Sequence, residues 1–126
     1  MSDLRRLVRT IPNYPKPGIL FRDVTTLMGD AKGLKAAIEG MTRGLARDLG
    51  PHNIRVNSII PGAVRTPRQE ALWHTPEEEA RILAGQCLPQ RVEVEDVAAL
   101  ALFLASDSAR RCSGRDYYVD AGWYGA

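Results

Sequence analysis

The chain has 126 residues, 44% of them hydrophobic and 25% charged, a balance that fits one small globular domain and excludes a disordered chain. Its 17 Lys and Arg residues against 15 Asp and Glu residues leave a formal charge of +2, and the basic residues are dispersed along the sequence. This pattern argues against nucleic acid or a membrane surface as a partner. No apolar stretch approaches the roughly 20 residues of a membrane span, and the N-terminus lacks the apolar core of a secretory signal, so we predict a cytoplasmic protein.

The cysteines and histidines do not have the spacing of metal ligands. Cys87 and Cys112 lie far apart in the sequence, and His52 and His74 are isolated from both. We predict two reduced thiols and no metal site.

The opening of the chain is rich in turn-forming residues. Residues 3–10 have the pattern of a short helix, and Pro12, Pro15 and Pro17 then favour extended backbone with turns, because each proline fixes its own φ and restricts its predecessor. Residues 19–24 are predicted to be a brief extended segment.

A long amphipathic helix is predicted from Asp30 onward and ends at Gly50 and Pro51. One face of it carries four apolar residues at helical spacing: Ile38, Met41, Leu45 and Leu49. Gly40 and Gly44 cost roughly 1 kcal/mol each relative to alanine inside a helix, so we expect another element to pack closely against them.

The second half of the chain combines short strands with helices. The β-branched run at 54–60 predicts a mostly buried strand that stops at Pro61, followed by a loop-like segment. Thr75 and Pro76 begin a helix that extends to about Ala84. Glu95 and Asp96 begin a further helix whose apolar face is Val97, Leu100, Ala101 and Leu104, and residues 116–120 have strand character.

The order helix, strand, helix, helix, strand predicts a piece of an α/β sheet with two parallel strands joined by a right-handed crossover. Such a pair is incomplete, because its edges are unpaired and parallel sheets are normally covered on both faces. Oligomerisation could complete it.

Residues 35–126 resemble the C-terminal half of a short-chain dehydrogenase/reductase. The resemblance rests on the helix Lys-Ala-Ala-Ile-Glu-Gly-Met at 35–41, the strand Ile-Arg-Val-Asn at 54–57, the turn Pro-Gly-Ala-Val-Arg-Thr at 61–66 and the closing Val-Asp-Ala-Gly at 119–122. It implies an incomplete Rossmann-like fold and an oxidoreductase that uses NAD or NADP.

The resemblance also implies specific catalytic positions. In that family a tyrosine and a lysine four residues later act in proton transfer, with a serine from an earlier strand. Lys35 matches the lysine, but Ala31 stands at the tyrosine position. The tyrosines of this chain, Tyr14, Tyr117, Tyr118 and Tyr124, lie in other segments, and we expect none of them to take its place.

The same resemblance implies half of a cofactor site. Pro61, Gly62 and Thr66 match the turn that lies along the nicotinamide, whereas no glycine-rich dinucleotide loop is found near the N-terminus. Residues 67–86 match the region that covers the substrate, and Trp73 with Gln-Cys-Leu at 86–88 is similar to dehydrogenases of sugars or other small polyols. Packing of Trp73 beneath that segment is an equal alternative.

Residues 11–23, Ile-Pro-Asn-Tyr-Pro-Lys-Pro-Gly-Ile-Leu-Phe-Arg-Asp, resemble the opening of adenine phosphoribosyltransferase. Leu20, Phe21 and Arg22 match positions of that family's adenine pocket. The family's phosphoribosyl-pyrophosphate loop has no counterpart here, so we favour a core or interface role for Phe21.

The two resemblances divide the chain into residues 1–34 and 35–126, which together form one small domain. The leading hypothesis is a recombined or engineered chimera without efficient catalysis of its own. The alternatives are a dehydrogenase half that acts on a small sugar or polyol when complemented, an oligomerisation module, and a phosphoribosyltransferase-like remnant. The expected partners are a second copy of the chain or a complementing dehydrogenase half.

Overall fold

The computed structural model describes residues 4–124, except for the side chain of Trp73. The strands are β1 (Arg9–Pro12), β2 (Leu20–Asp23), β3 (Ser58–Pro61) and β4 (Asp116–Val119). The α-helices are α1 (Thr25–Met28), α2 (Ala31–Leu49), α3 (Pro67–Trp73), α4 (Pro76–Ala84) and α5 (Val94–Ala105). Short 3₁₀ turns occur at Leu4–Leu7, Gly50–His52 and Asp107–Ala109.

The N-terminal strands β1 and β2 form an antiparallel hairpin in which Arg9 pairs with Asp23 and Pro12 with Leu20. The extended segment predicted at 19–24 is confirmed. The helix predicted at 3–10 is wrong, because only Leu4–Leu7 forms a 3₁₀ turn and Arg9–Pro12 is a strand. The backbone groups of β1 find their partners in β2, a contact that no local pattern in residues 3–10 reveals.

Helix α2 begins as predicted, since the Asp30 carboxylate accepts a hydrogen bond from the Gly33 amide at 2.6 Å. The close packing predicted at Gly40 and Gly44 is wrong. A Cβ atom added at either glycine would meet no heavy atom within 4 Å. These glycines lie on a part of the helix that no other described element approaches.

Strands β3 and β4 are parallel, with Ser58 opposite Asp116 and Pro61 opposite Val119. The predicted parallel pair is therefore confirmed. The strand is shorter than predicted, because residues 54–57 form no ladder, although the Asn57 side chain donates to the Cys112 carbonyl at 2.8 Å. The prediction of a mostly buried strand is also wrong, since β3 is only partly covered.

Three helices lie in the crossover between β3 and β4. The loop predicted after Pro61 is in fact helix α3, which Thr66 caps by accepting from the Gln69 amide at 3.2 Å. Thr75 caps α4 in the same way through the Glu78 amide at 3.2 Å, as the sequence predicted. At the start of α5 the Asp96 carboxylate accepts from the Glu93 amide at 2.8 Å.

The core of this arrangement is thin. The buried hydrophobic residues among those described are Ile82, Val92, Leu104 and Ala109. Of the face predicted for α5, Leu104 is buried, Val97 and Leu100 are half-buried, and Ala101 is exposed. Much apolar surface therefore remains in contact with solvent, for example at Leu102, which is 72% exposed.

Candidate functional site

A largely apolar groove of about 390 Å³ lies between helix α2 and the parallel strand pair. Its walls are formed by Ala31, Leu34, Lys35, Ile38 and Glu39 of α2, by residues 58–61 of β3 and by Asp116 of β4. The groove brings Lys35 together with Pro61, two residues that the sequence singled out for the same site. Ala31 lines it one helical turn before Lys35.

Lys35 contacts an aromatic side chain that sequence reasoning missed. Its Nζ lies 5.8 Å from the centre of the Tyr118 ring and 3.9 Å from Glu39 Oε1. The Tyr118 phenol, followed by the carboxylates of Glu39 and Asp116, raises the pKa of Lys35 above its ordinary value. Tyr118 thus approaches Lys35 from β4 and not from the position one helical turn before the lysine, so the expectation that no other tyrosine takes the place of the family's tyrosine stays a prediction.

The register of the parallel strands explains this contact. Tyr118 pairs with Ile60 and Asp116 pairs with Ser58, whose hydroxyl donates a hydrogen bond to the Asp116 carboxylate. Because side chains alternate along a strand, Asp116 and Tyr118 share the face that carries α2. Tyr118 is not, however, among the residues that line the groove. The sequence signal for the Lys35–Tyr118 contact is the alternation of side chains along β4. It becomes informative only when the register of β4 against β3 is known.

The three predicted cofactor residues are not equivalent in the structure. Pro61 lines both the groove and a second cleft, whereas Gly62 lines only the second cleft, with Ile82 and Trp123. A Cβ atom at Gly62 would lie 2.7 Å from the Asp120 Cα, so the close approach of the chain after β4 already requires glycine there. The Thr66 hydroxyl caps α3. Of the three predicted residues, Pro61 alone shares the groove with Lys35.

The segment predicted to cover the substrate, residues 67–86, forms helices α3 and α4. They are attached to the rest of the chain by Arg91, whose side chain donates to Gln69 on α3 and to Glu79 on α4. Gln86 is buried, and its amide nitrogen donates to the Leu88 carbonyl at 2.8 Å. The predictions for the Trp73 side chain lie outside the described residues.

The adenine-pocket residues do not share one face of β2. Leu20 and Arg22 lie on one side of the strand and Phe21 on the other. Arg22 donates to the Thr10 hydroxyl across the hairpin, and Phe21 packs edge-on against Tyr14 with ring centres 5.4 Å apart. All three residues are exposed to solvent, and the side chains of Arg22 and Phe21 are paired within the hairpin.

Within residues 4–124, no group of three or more His, Cys, Asp and Glu side chains could hold a metal ion. In the same part of the chain, no helix has the length and apolarity needed to cross a membrane.

Comparison with known proteins identifies the family. A family profile described as enoyl-(acyl carrier protein) reductase matches residues 23–124. The chain belongs to the short-chain dehydrogenase/reductase family. This confirms the dehydrogenase resemblance and the incomplete Rossmann-like fold.

The curated relatives include enzymes named for sugars. The D-xylose 1-dehydrogenase of Caulobacter vibrioides is 62% identical over 89 residues, which are 71% of this chain and 36% of that protein. A probable galactose dehydrogenase of Rhizobium meliloti is 46% identical over 88 residues, 70% of this chain and 34% of that protein. This chain spans only about a third of the length of either relative.

A solved structure with the same arrangement is a 7α-hydroxysteroid dehydrogenase complexed with NADH and 7-oxo glycochenodeoxycholic acid. It aligns with a TM-score of 0.69 and 36% identity over 79% of this chain and 38% of that one. This solved relative is thus a dehydrogenase that binds NADH, and the matched family profile over residues 23–124 includes Lys35 and the groove beside it.

Proposed function

We propose that this chain contributes the nicotinamide- and substrate-facing part of a sugar dehydrogenase site, and that by itself it has no efficient turnover. The observation that carries this proposal is the groove in which Lys35 and Pro61 lie together while Ala31 occupies the position one turn before the lysine. NAD or NADP would accept or supply the hydride when bound.

Ala31 is the reason for expecting poor turnover. Residues four apart on a helix lie on the same face, so a hydroxyl at position 31 would share the groove with Lys35. The lysine ammonium stabilises a neighbouring phenolate, which is how such a pair moves a proton at moderate pH. A methyl group can neither donate nor accept that proton.

The sugar assignment rests on the 62% identity to D-xylose 1-dehydrogenase, which includes the covering segment. D-Xylose and D-galactose are therefore the first substrates to test. A fatty-acyl thioester is the alternative class, given the description of the matching family profile.

The test combines the chain with the missing dinucleotide-binding part, expressed as a separate fragment of the Caulobacter vibrioides D-xylose 1-dehydrogenase. Cofactor binding is measured by calorimetry, and sugar oxidation by the absorbance of the reduced nicotinamide. We expect the wild-type pair to bind the cofactor and the Ala31→Tyr pair to oxidise D-xylose at least about 100-fold faster than wild type. Ala31→Phe is the matched control, because it adds the ring without the hydroxyl.

Two results would contradict the proposal. Efficient turnover by the wild-type chain that Lys35→Met abolishes would show that position 31 is dispensable. Equal rates for Ala31→Tyr and Ala31→Phe would show that the hydroxyl is not used.

Self-association is a second candidate role, and the apolar face of α2 favours it. Ile38, Met41 and Leu45 are all exposed, and Met41 is 60% exposed. Burial of such a face against a second copy is favourable by the hydrophobic effect. A concentration-independent monomer in light scattering would oppose this role.

The origin of residues 1–34 in an adenine phosphoribosyltransferase, and hence a chimeric chain, is a separate proposal. Its support is the sequence at 11–23 alone. The structure adds none, because the side chains of Arg22 and Phe21 contact other residues of the hairpin. Calorimetric titration with adenine tests it, and an absence of heat would leave the hairpin without that role.

A further inference from the structure

Arg91 joins three separate segments through one buried guanidinium group. Its Nε donates to the Ala63 carbonyl at 3.1 Å, and its Nη2 donates to Gln69 Oε1 at 2.9 Å. Its Nη1 donates to the Glu79 carboxylate. The Arg91 side chain is 3% exposed, so these contacts are shielded from water. They connect the turn at 61–66 with helix α3 and with helix α4.

The backbone beside Arg91 is fixed to the same turn. Val92 forms a parallel bridge with Val64, and the Arg65 amide donates to the Val92 carbonyl at 2.8 Å. Val92 is itself buried. The guanidinium therefore extends from a backbone position that is held against the turn, and the two helices attach to its far end.

Glu79 is the acceptor at which two arginines and a histidine converge. Besides Arg91, the Arg65 Nη2 lies 3.8 Å from one of its oxygens and the His74 Nδ1 lies 3.6 Å from the other. A buried cation is costly unless it is paired and its donors are satisfied. Because Arg91 meets that condition only when α3, α4 and the turn are all in place, its contacts couple the three segments.

We propose that Arg91 is a positioning residue that fixes helices α3 and α4 against the turn at 61–66. It thereby sets the separation between the covering segment and the nicotinamide-facing Pro61. Its consequence for cofactor binding rests on the proposed function, whereas its effect on α3 and α4 does not. The three donors of a lysine ammonium share one nitrogen, whereas these acceptors are reached from the three separate nitrogens of a planar guanidinium, so lysine is a poor substitute.

The test is hydrogen exchange of the full chain carrying Arg91→Gln or Arg91→Lys. The matched control is Arg81→Gln, which also removes an arginine–glutamate pair on α4, but one in which the Arg81 side chain is 65% exposed. We expect amide exchange in α3 and α4 to accelerate at least about tenfold in both Arg91 variants, with exchange in α2 and β4 unchanged. The control should leave all of these rates unchanged.

Unchanged exchange in α3 and α4 would overturn the proposal, as would an equal acceleration throughout the chain, which a merely structural role predicts. If Arg91→Gln does not fold, Arg91→Lys still distinguishes a local from a uniform acceleration of exchange. The lysine variant retains the positive charge and loses only the planar arrangement of donors.

The cofactor consequence is measured on the chain assembled with the complementing fragment. We expect Arg91→Lys to weaken NAD binding about tenfold and Arg81→Gln to leave it unchanged, a difference of 1.4 kcal/mol. Equal NAD affinity in wild type and Arg91→Lys would overturn the link to the cofactor side. Absence of NAD binding by the wild-type assembly would contradict the proposed function, and the exchange rates would still decide the role of Arg91.

Discussion

Asp23, at the end of β2, holds the hairpin and the start of α1 together through charge-assisted hydrogen bonds. Its carboxylate accepts from the Thr25 amide at 2.9 Å and from the Thr25 hydroxyl at 2.7 Å, and it pairs with Arg9. These donors, the Thr25 amide first, lower the pKa of Asp23 to about 2. No sequence pattern singles out this residue, because its partners belong to β1 and α1.

The lowered pKa gives a pH dependence with a defined sign. The ionised form is favoured in the folded state, so the contribution of Asp23 to stability is complete above its unfolded pKa of roughly 3.9 and is lost as the pH falls toward 2. We expect Asp23→Asn to lower the free energy of unfolding at pH 6, and the deficit to shrink below pH 4. Urea unfolding at several pH values measures this. A deficit that does not change with pH would contradict it.

Lys35 and Tyr118 form the other contact with a clear electrostatic effect. The Tyr118 phenol makes the largest contribution to the raised pKa of Lys35. We therefore expect Tyr118→Phe to bring that pKa down toward the ordinary value of 10.5. NMR titration of the lysine side chain measures the shift. Glu39→Gln should lower the pKa of Lys35 by less, since the Glu39 carboxylate raises that pKa less than the Tyr118 phenol does. An unchanged pKa in the phenylalanine variant would rule out the contact in solution.

Among the elements, α2 and the turn after β3 both contain glycine, but the space beside the glycine differs between them. Gly40 and Gly44 have open space beside them, whereas at Gly62 a Cβ atom would lie 2.7 Å from the backbone of Asp120. A pattern of residue types does not distinguish these cases, because the neighbour of Gly62 is more than fifty positions away in the sequence.

These surroundings predict opposite effects of the same substitution. We expect Gly40→Ala to stabilise the chain by roughly 0.5–1 kcal/mol, because alanine loses less backbone freedom in a helix than glycine does. Gly62→Ala should destabilise it by roughly 1–3 kcal/mol, because the backbone must shift to admit the methyl group. Thermal unfolding of the two variants measures both. Destabilisation by Gly40→Ala would indicate a close neighbour on α2, such as a second copy.

At the scale of the whole molecule, the decisive feature is how little of the apolar surface is covered. Leu104 is the only residue of α5 that is buried among the described residues, and the apolar residues of α2 are only half-buried or exposed. Both surfaces belong to a fold of which the 89 matched residues are only 36% in the D-xylose 1-dehydrogenase relative. Within residues 4–124, the parallel pair β3–β4 therefore has the cover of α2 and no further strand beside it that would bury the groove.

This exposed surface predicts stabilisation by a partner. We expect the complementing fragment to raise the melting temperature of the chain, by an amount equivalent to about 2.7 kcal/mol when its concentration is 100 times its dissociation constant. Differential scanning calorimetry measures this, with a fragment of an unrelated fold as the control. A melting temperature that does not respond to the fragment would mean that the groove is not its binding surface.

The sequence by itself determined the features that depend on neighbours within about four positions. The start of helix α2 at Asp30 and the cap at Thr75 agree with the structure, because helical periodicity and capping are local signals. The parallel character of the last strand followed instead from the order of the elements along the chain. The family and the position of Lys35 also follow from short motifs.

Only the tertiary structure decided which distant residues meet. It brought Tyr118 to Lys35 through the register of β4, joined Arg91 to α3 and α4, and left Gly40 without a neighbour. It also paired β1 with β2, although Arg9 and Thr10 of β1 had been predicted to be helical. In each case the outcome depends on packing between segments that are far apart in the chain, and the free energy of that packing is not encoded in either segment alone.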